Sequence, residues 1–302
     1  MALVSMGETM SDIGRQLRLP DGRALGYAVW GETNDSDAPV IMAFHGTPGS
    51  RFDFQPSPVM QHPEGARIVA VDRPGVGLSD PLPGRTLTAF VDDVETLADH
   101  LGIDRFGVLG YSGGGSYALA VAAGLPGRVT DGTLVGALAP PPGRSNDDGT
   151  SFALRLAMEA RKVLPVTAPV IAIANAVLSR FPTTALGIAS LDMPPSDRET
   201  LRDARSSAHL LATYREASRS GTAGAASDLD LVLSDWGFDL AAVKAPIAIW
   251  QGAADTIVPV AHANWFAKEL PNSERFDLAA DGHTLLYRHS TDILAELSAR
   301  LR

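Results

Sequence analysis

The sequence predicts an α/β protein, a mostly parallel central sheet flanked by helices and split by a long helical insertion. Three observations point there. Short apolar runs bounded by turn residues, at 67–72 and 105–109, have the composition of strands buried on both faces. Between them Phe90, Val94, Leu97 and Leu101 recur at helical spacing, while Asp92, Asp93, Glu95 and Asp99 face elsewhere and Gly102 follows as a stop. The alternation fails after Ala139 and resumes at residues 246–250, a gap far longer than an ordinary connection. The expected division is therefore a core made of 1–139 and 237–302, with 140–236 as a helical lid.

In chain order, residues 23–30 and 40–45 read as opening strands, separated by a turn-forming stretch rich in Asn, Asp and Ser. The strand at 105–109 leads through glycines into an Ala-rich helix around 118–123, and residues 133–138 form the next strand. This βαβ rhythm implies right-handed parallel crossovers. The insertion opens on Pro140-Pro141-Pro142-Gly143. Within it Ser196 and Glu199 form a capping-box pattern that starts one long helix through Leu201, His209, Leu210 and Tyr214, closed by Gly221 and Gly224. After the strand at 246–250 come a helix at 262–270, a strand near Phe276, and a final helix carrying Ile293, Leu294, Leu297 and Leu301.

A chain of 302 residues, 45% of them hydrophobic and 20% charged, has ample material for a buried core. Its net charge of −10, without a Lys/Arg run, argues against a nucleic-acid partner. Having no cysteine, it has no disulfide, no thiolate metal site and no Cys nucleophile. Residues 1–12 lack the basic flank and apolar stretch of a secretory signal, so the expected location is the cytoplasm. The longest apolar run, 163–178, is broken by Pro165 and Pro169 and falls short of the roughly 20 residues of a membrane span. Nothing in the composition indicates an oligomeric state.

The chemistry centres on Gly110-Tyr111-Ser112-Gly113-Gly114, where small residues between a strand and a helix permit the tight turn that lifts a serine above a sheet. The bland alternative is a glycine-rich turn that only packs a helix; a dinucleotide loop is excluded because the Gly-x-Gly start is missing. A serine nucleophile needs a base, and His283 in Asp281-Gly282-His283 lies in a late loop between the last strand and the last helix. His45 belongs to another motif, and His62, His100, His209, His262 and His289 are expected at surface or helix positions. Asp255, in the turn after the strand at 246–250, would orient the imidazole; its alternative role, capping the following helix, suits it less because of its distance from that helix. Backbone N–H groups of Gly113 and Thr47 are the candidate donors to a developing oxyanion, Thr47 lying in His45-Gly46-Thr47-Pro48-Gly49, which could otherwise be a simple Pro/Gly turn.

Together with Asp72-Arg73-Pro74-Gly75-Val76-Gly77-Leu78-Ser79, Gly252-Ala253-Ala254-Asp255 and Gly282-His283, these segments resemble the α/β-hydrolase superfamily across both halves of the core. The resemblance implies esterase-like chemistry without a cofactor and a structural role for the 72–79 turn near the pocket. Haloalkane dehalogenases and epoxide hydrolases are similar in outline but use an aspartate nucleophile, where this chain has Ser112. Gly113 and Thr47 also depart from the proline iminopeptidase pattern.

The expected substrate is thus a small-molecule carboxyl ester, cleaved through an acyl-enzyme. Other bonds (carbon–carbon, lactone, amide), perhydrolysis, and a non-catalytic receptor role for the fold remain as alternatives. Residues 152–177, with Leu154, Leu156, Ile171, Ile173 and Val177, are expected to lay an apolar face over the pocket, and Tyr111, Tyr214 and Trp236 are candidate substrate contacts.

Overall fold

The computed structural model describes residues 14–31, 38–140 and 167–302. Among these, eight strands form one sheet: β1 (Arg15–Arg18), β2 (Ala24–Gly31), β3 (Val40–Phe44), β4 (Arg67–Val71), β5 (Phe106–Tyr111), β6 (Val129–Val135), β7 (Ile247–Gly252) and β8 (Ser273–Leu278). Their spatial order is β1-β2-β4-β3-β5-β6-β7-β8. The β1–β2 and β2–β4 pairs are antiparallel and the remaining pairs parallel.

The parallel strands are apolar throughout because both their faces are covered. In β3, Val40, Met42 and Phe44 point to one side, under α1 (Ala89–His100), α2 (Gly114–Gly124) and a later helix, α8 (Val260–Glu269). Ile41 and Ala43 point to the other side, where α9 (Leu285–Arg288) and α10 (Ser290–Arg300) pack through Leu285, Ile293, Leu294 and Leu297.

Between β6 and β7 lie five described α-helices: α3 (Thr167–Arg180), α4 (Pro182–Ala189), α5 (Pro195–Arg202), α6 (Ala204–Ala217) and α7 (Ala223–Val232). No described helix is long and apolar enough to cross a membrane.

The differences from the sequence expectations are local. β1, with its sequence Arg-Gln-Leu-Arg, has too little apolar content to announce a strand; it is an exposed edge. The strand expected at 133–138 runs instead from Val129 to Val135, because Asp131 and Gly132 interrupt the apolar signal while still pairing in the ladder. The single helix expected from Ser196 is two. α5 starts at Pro195 with Pro194 as its cap residue, so Ser196 lies inside the first turn and its hydroxyl caps nothing. Asp203 then ends α5 with extended backbone and caps α6, its carboxylate accepting the Ser206 N–H at 2.8 Å. Gly221 does terminate this region, with φ of 99°, but Gly224 falls within α7.

Candidate active site

β5 ends at Tyr111 and α2 begins at Gly114, and the turn between them holds Ser112 with φ of 52°, the only non-glycine residue with positive φ among those described. The turn closes this tightly because Gly114 has no side chain: a Cβ there would lie 2.1 Å from the Phe44 carbonyl oxygen on β3. The geometry is that of a strand–nucleophile–helix elbow.

His283 stands opposite, its Nε2 3.0 Å from Ser112 Oγ. Its Nδ1 is 2.8 Å from Asp255 Oδ2, and Asp255 Oδ1 accepts the N–H groups of Ile257 and Val258, each at 2.8 Å. An ionised carboxylate only accepts, so the Nδ1 proton is assigned to the Asp255 contact, which leaves Nε2 free to accept from the serine hydroxyl. The Tyr111 ring stacks on the imidazole with centroids 5.4 Å apart, and its hydroxyl donates to the His283 carbonyl at 3.1 Å. Burial disfavours the imidazolium, but the charge and hydrogen bond of Asp255, with a further contribution from Asp197, outweigh it and raise the His283 pKa above 6.5.

Thr47 and Gly113 are neighbours across the site: a Cβ on Gly113 would sit 3.5 Å from Thr47 N. Neither backbone N–H has an acceptor among the described residues. The Thr47 side chain, by contrast, is fully engaged, donating to Asp228 Oδ2 at 2.6 Å and accepting from Arg73 at 2.7 Å. Arg73 also reaches the His45 and Gly46 carbonyls, so the 72–79 turn and α7 together fix the 45–49 loop. His45 is buried beside Arg73; desolvation and that positive charge hold its pKa well below 6.5, and it stays neutral.

A cavity of about 510 Å³ lies between Tyr111, His283 and Thr284 on one side and helices α3 to α7 on the other. Tyr111, Tyr214, Leu178, Leu210, Ile257 and His283 are among its walls, and no Asp, Glu, Lys or Arg side chain is among the described residues lining it. In α3, Ile171 and Val177 reach this cavity, whereas Ile173 points away and is 65% exposed, as two residues on a helix differ by about 200° in direction. Leu154 and Leu156 lie outside the described residues.

Of the three aromatic residues considered as substrate contacts, the structure places Tyr111 and Tyr214 on the cavity and Trp236 elsewhere. Trp236 is buried in the core on the α2/α8 side of the sheet, stacked between Phe238 and Phe266, and its indole N–H donates to the Val232 carbonyl at 3.1 Å. An aromatic with its one donor satisfied is an ordinary core residue. Among the other histidines, His209 and His262 do lie on helices, but with their side chains buried rather than solvated.

The sequence signals did not reveal Asp228, Asp197 and Asp53, three buried carboxylates that hold the site's loops. Asp228 joins Arg73, Arg85, Tyr117 and Thr47; Asp53 accepts from the Gly46 N–H and the Tyr287 hydroxyl. An aspartate on a helix reads as part of a solvated face, and only its partners, more than a hundred residues away for Asp228 and Arg73, distinguish it. Among the described residues no group of His, Asp and Glu side chains is arranged to hold a metal ion.

A chain with this sheet and this elbow falls among the α/β proteins that carry a serine in a tight turn at the carboxyl end of a central strand. The family description "alpha/beta hydrolase fold" matches residues 39–290, and the chain belongs to that family. It is 32% identical over 146 residues to a non-heme chloroperoxidase of Streptomyces lividans, which covers 48% of this chain and 52% of that protein. It is 35% identical over 122 residues to a bifunctional esterase/perhydrolase of Acinetobacter calcoaceticus, covering 40% of this chain and 43% of the relative. The chain thus spans about half the length, or less, of these curated relatives. Among solved structures, an esterase from Rhodococcus sp. superposes with a TM-score of 0.67 at 20% identity, covering 96% of this chain and 98% of that one, a likeness of fold.

Proposed function

We propose that this protein is a serine hydrolase that cleaves the carboxyl ester of a small, uncharged, apolar substrate. The observation that carries the reading is the continuous chain Asp255–His283–Ser112 beside two backbone N–H groups, those of Thr47 and Gly113, that have no acceptor among the described residues. In this reading His283 Nε2 takes the Ser112 hydroxyl proton as Oγ bonds to the ester carbon, and the carbonyl oxygen collects negative charge against the Thr47 and Gly113 N–H groups. The imidazolium returns its proton to the departing alkoxide, which leaves an acyl-serine. Water, deprotonated by His283, then attacks that acyl carbon; the acid leaves and Ser112 regains its proton. Helices α3 to α7 act as the lid, and the cavity wall, apolar and without Asp, Glu, Lys or Arg among the described residues, selects the substrate.

Nitrophenyl esters of graded acyl length test the reading, with Ser112→Ala as control. Turnover and labelling by a serine-directed phosphonate are expected in the native chain and absent from the variant; undiminished turnover in Ser112→Ala would sink the mechanism.

A second reading is supported by the names of the chloroperoxidase and esterase/perhydrolase relatives. Hydrogen peroxide would replace water as acceptor for the acyl group, giving a peracid and free Ser112. Peracid formation from a carboxyl ester and peroxide, measured beside simple hydrolysis, decides between the two acceptors.

A further inference from the structure

α5 belongs to the helical segment that roofs the cavity, and it carries Asp197, whose exposure is 0%. Asp197 Oδ2 accepts the backbone N–H of His283 at 2.8 Å. Its Oδ1 accepts both the backbone N–H of Thr284, at 2.9 Å, and the Thr284 hydroxyl, at 2.7 Å. The approach leaves no room for a side chain on the intervening loop: a Cβ on Gly282 would lie 2.3 Å from Asp197 Oδ2 and 2.4 Å from Pro194 Cγ.

No Lys or Arg among the described residues pairs with this carboxylate. Three hydrogen bonds, two of them from main-chain N–H groups, take the place of a counter-ion. In the proposed reaction a cation does arise beside it, when His283 takes the Ser112 proton.

We propose that Asp197 is a positioning residue for the reaction, holding the main chain of His283 so that Nε2 faces Ser112 and adding a second carboxylate, after Asp255, against the imidazolium. The inference rests on the serine-hydrolase reading and extends it. The groups facing His283 are Asp255 from the turn after β7, the Ser112 hydroxyl from the elbow, the stacked Tyr111 ring and Asp197 from α5. Of these only the two carboxylates carry charge, and both favour the protonated ring, Asp255 more strongly. Because the charge on His283 is larger in the transition state than in the resting enzyme, Asp197 contributes to kcat rather than to substrate binding. It also makes turnover depend on the seating of α5 against the core.

Asp197→Asn keeps the size and one acceptor and removes the charge. Its expected behaviour is a kcat about tenfold lower with KM within about twofold of the native value. The acid limb of its pH profile should move to lower pH, and the NMR titration of the His283 ring should move the same way. A fall in activity with limb and titration both in the native position would reduce Asp197 to a packing role and overturn the proposal, as would native kcat. The ring titration needs no substrate, so it still decides the role of Asp197 if the native chain neither turns over esters nor reacts with phosphonate, the result that defeats the hydrolase reading itself. If Asp197→Asn does not fold, Thr284→Val and Thr284→Ser carry the test. Val, which loses the hydroxyl bond to Asp197, should lower kcat several-fold, and Ser should restore it; equal kcat in both overturns the proposal.

Discussion

Ser112 holds a left-handed backbone that a β-carbon resists, at a cost on the order of 1–3 kcal/mol, and the reward is a hydroxyl aimed at His283 rather than packed into α2. His283 is the residue whose protonation governs the site. Burial works against its charge, Asp255 and Asp197 work for it, and the net pKa is raised above 6.5. In the proposed mechanism His283 acts only when neutral, so kcat/KM should fall as pH drops through a midpoint above 6.5, measured on a neutral ester whose own ionisation does not intrude. The stability linkage has the opposite sense. A raised folded pKa means this group's contribution is fully present below the unfolded value and is lost as pH rises through the folded one. Asp255→Asn should both move the kinetic limb down and cut kcat by up to about 10⁴-fold, since the amide favours the wrong imidazole tautomer. An unmoved limb in that variant would remove Asp255 from its role. The motif residues of this site were legible in the sequence because each sits next to a turn signal; Tyr214 and Trp236 had no such marker, and only the structure separates the cavity wall from the core.

At the level of elements, the elbow depends on how closely α2 approaches β3. Gly114→Ala would put a methyl 2.1 Å from the Phe44 carbonyl oxygen, which β3 holds between two parallel neighbours, and 2.5 Å from that of His45, which is bonded to Arg73. The expected result is a loss of roughly 2 kcal/mol or more in urea denaturation together with loss of turnover, since the same displacement moves Ser112. Native stability in Gly114→Ala would show that the elbow tolerates expansion. The strands of this core are recognisable from sequence because two-sided burial demands continuous apolar runs, as in β3 and β4. β1 escapes because an edge strand is held by its ladder and not by side-chain burial. The α5–α6 break escapes because no proline or glycine marks it; Asp203 ends one helix and caps the next through a local hydrogen bond.

Across the whole molecule, the helical segment is fastened to the core by carboxylates. Asp228 on α7 meets Arg73, 2.6 Å away, and Arg85, 3.0 Å away, all three buried, and also takes the hydroxyls of Tyr117 and Thr47. Burial alone would raise the Asp228 pKa, but the two guanidinium groups reverse this and leave it well below the usual carboxylate range. A depressed folded pKa means its stabilisation is present at neutral pH and is lost as pH falls through the carboxylate range and below. Asp228→Ala strands two buried cations and should cost about 3–5 kcal/mol, with loss of ester turnover as Thr47 loses its anchor. A urea midpoint within error of the native one would show that the cluster does not bear on stability.

From the sequence alone came the α/β class and the naming of Ser112, Asp255, His283, Thr47 and Gly113, which the fold brings to one place, because local turn chemistry and apolar periodicity are written in neighbouring residues. Which side chains of the insertion touch the site was decided only by tertiary structure. Asp197 and Asp228 look like solvent-facing helix residues until the chain brings them to partners 86 and 155 positions away, where burial turns an ordinary surface charge into an anchor.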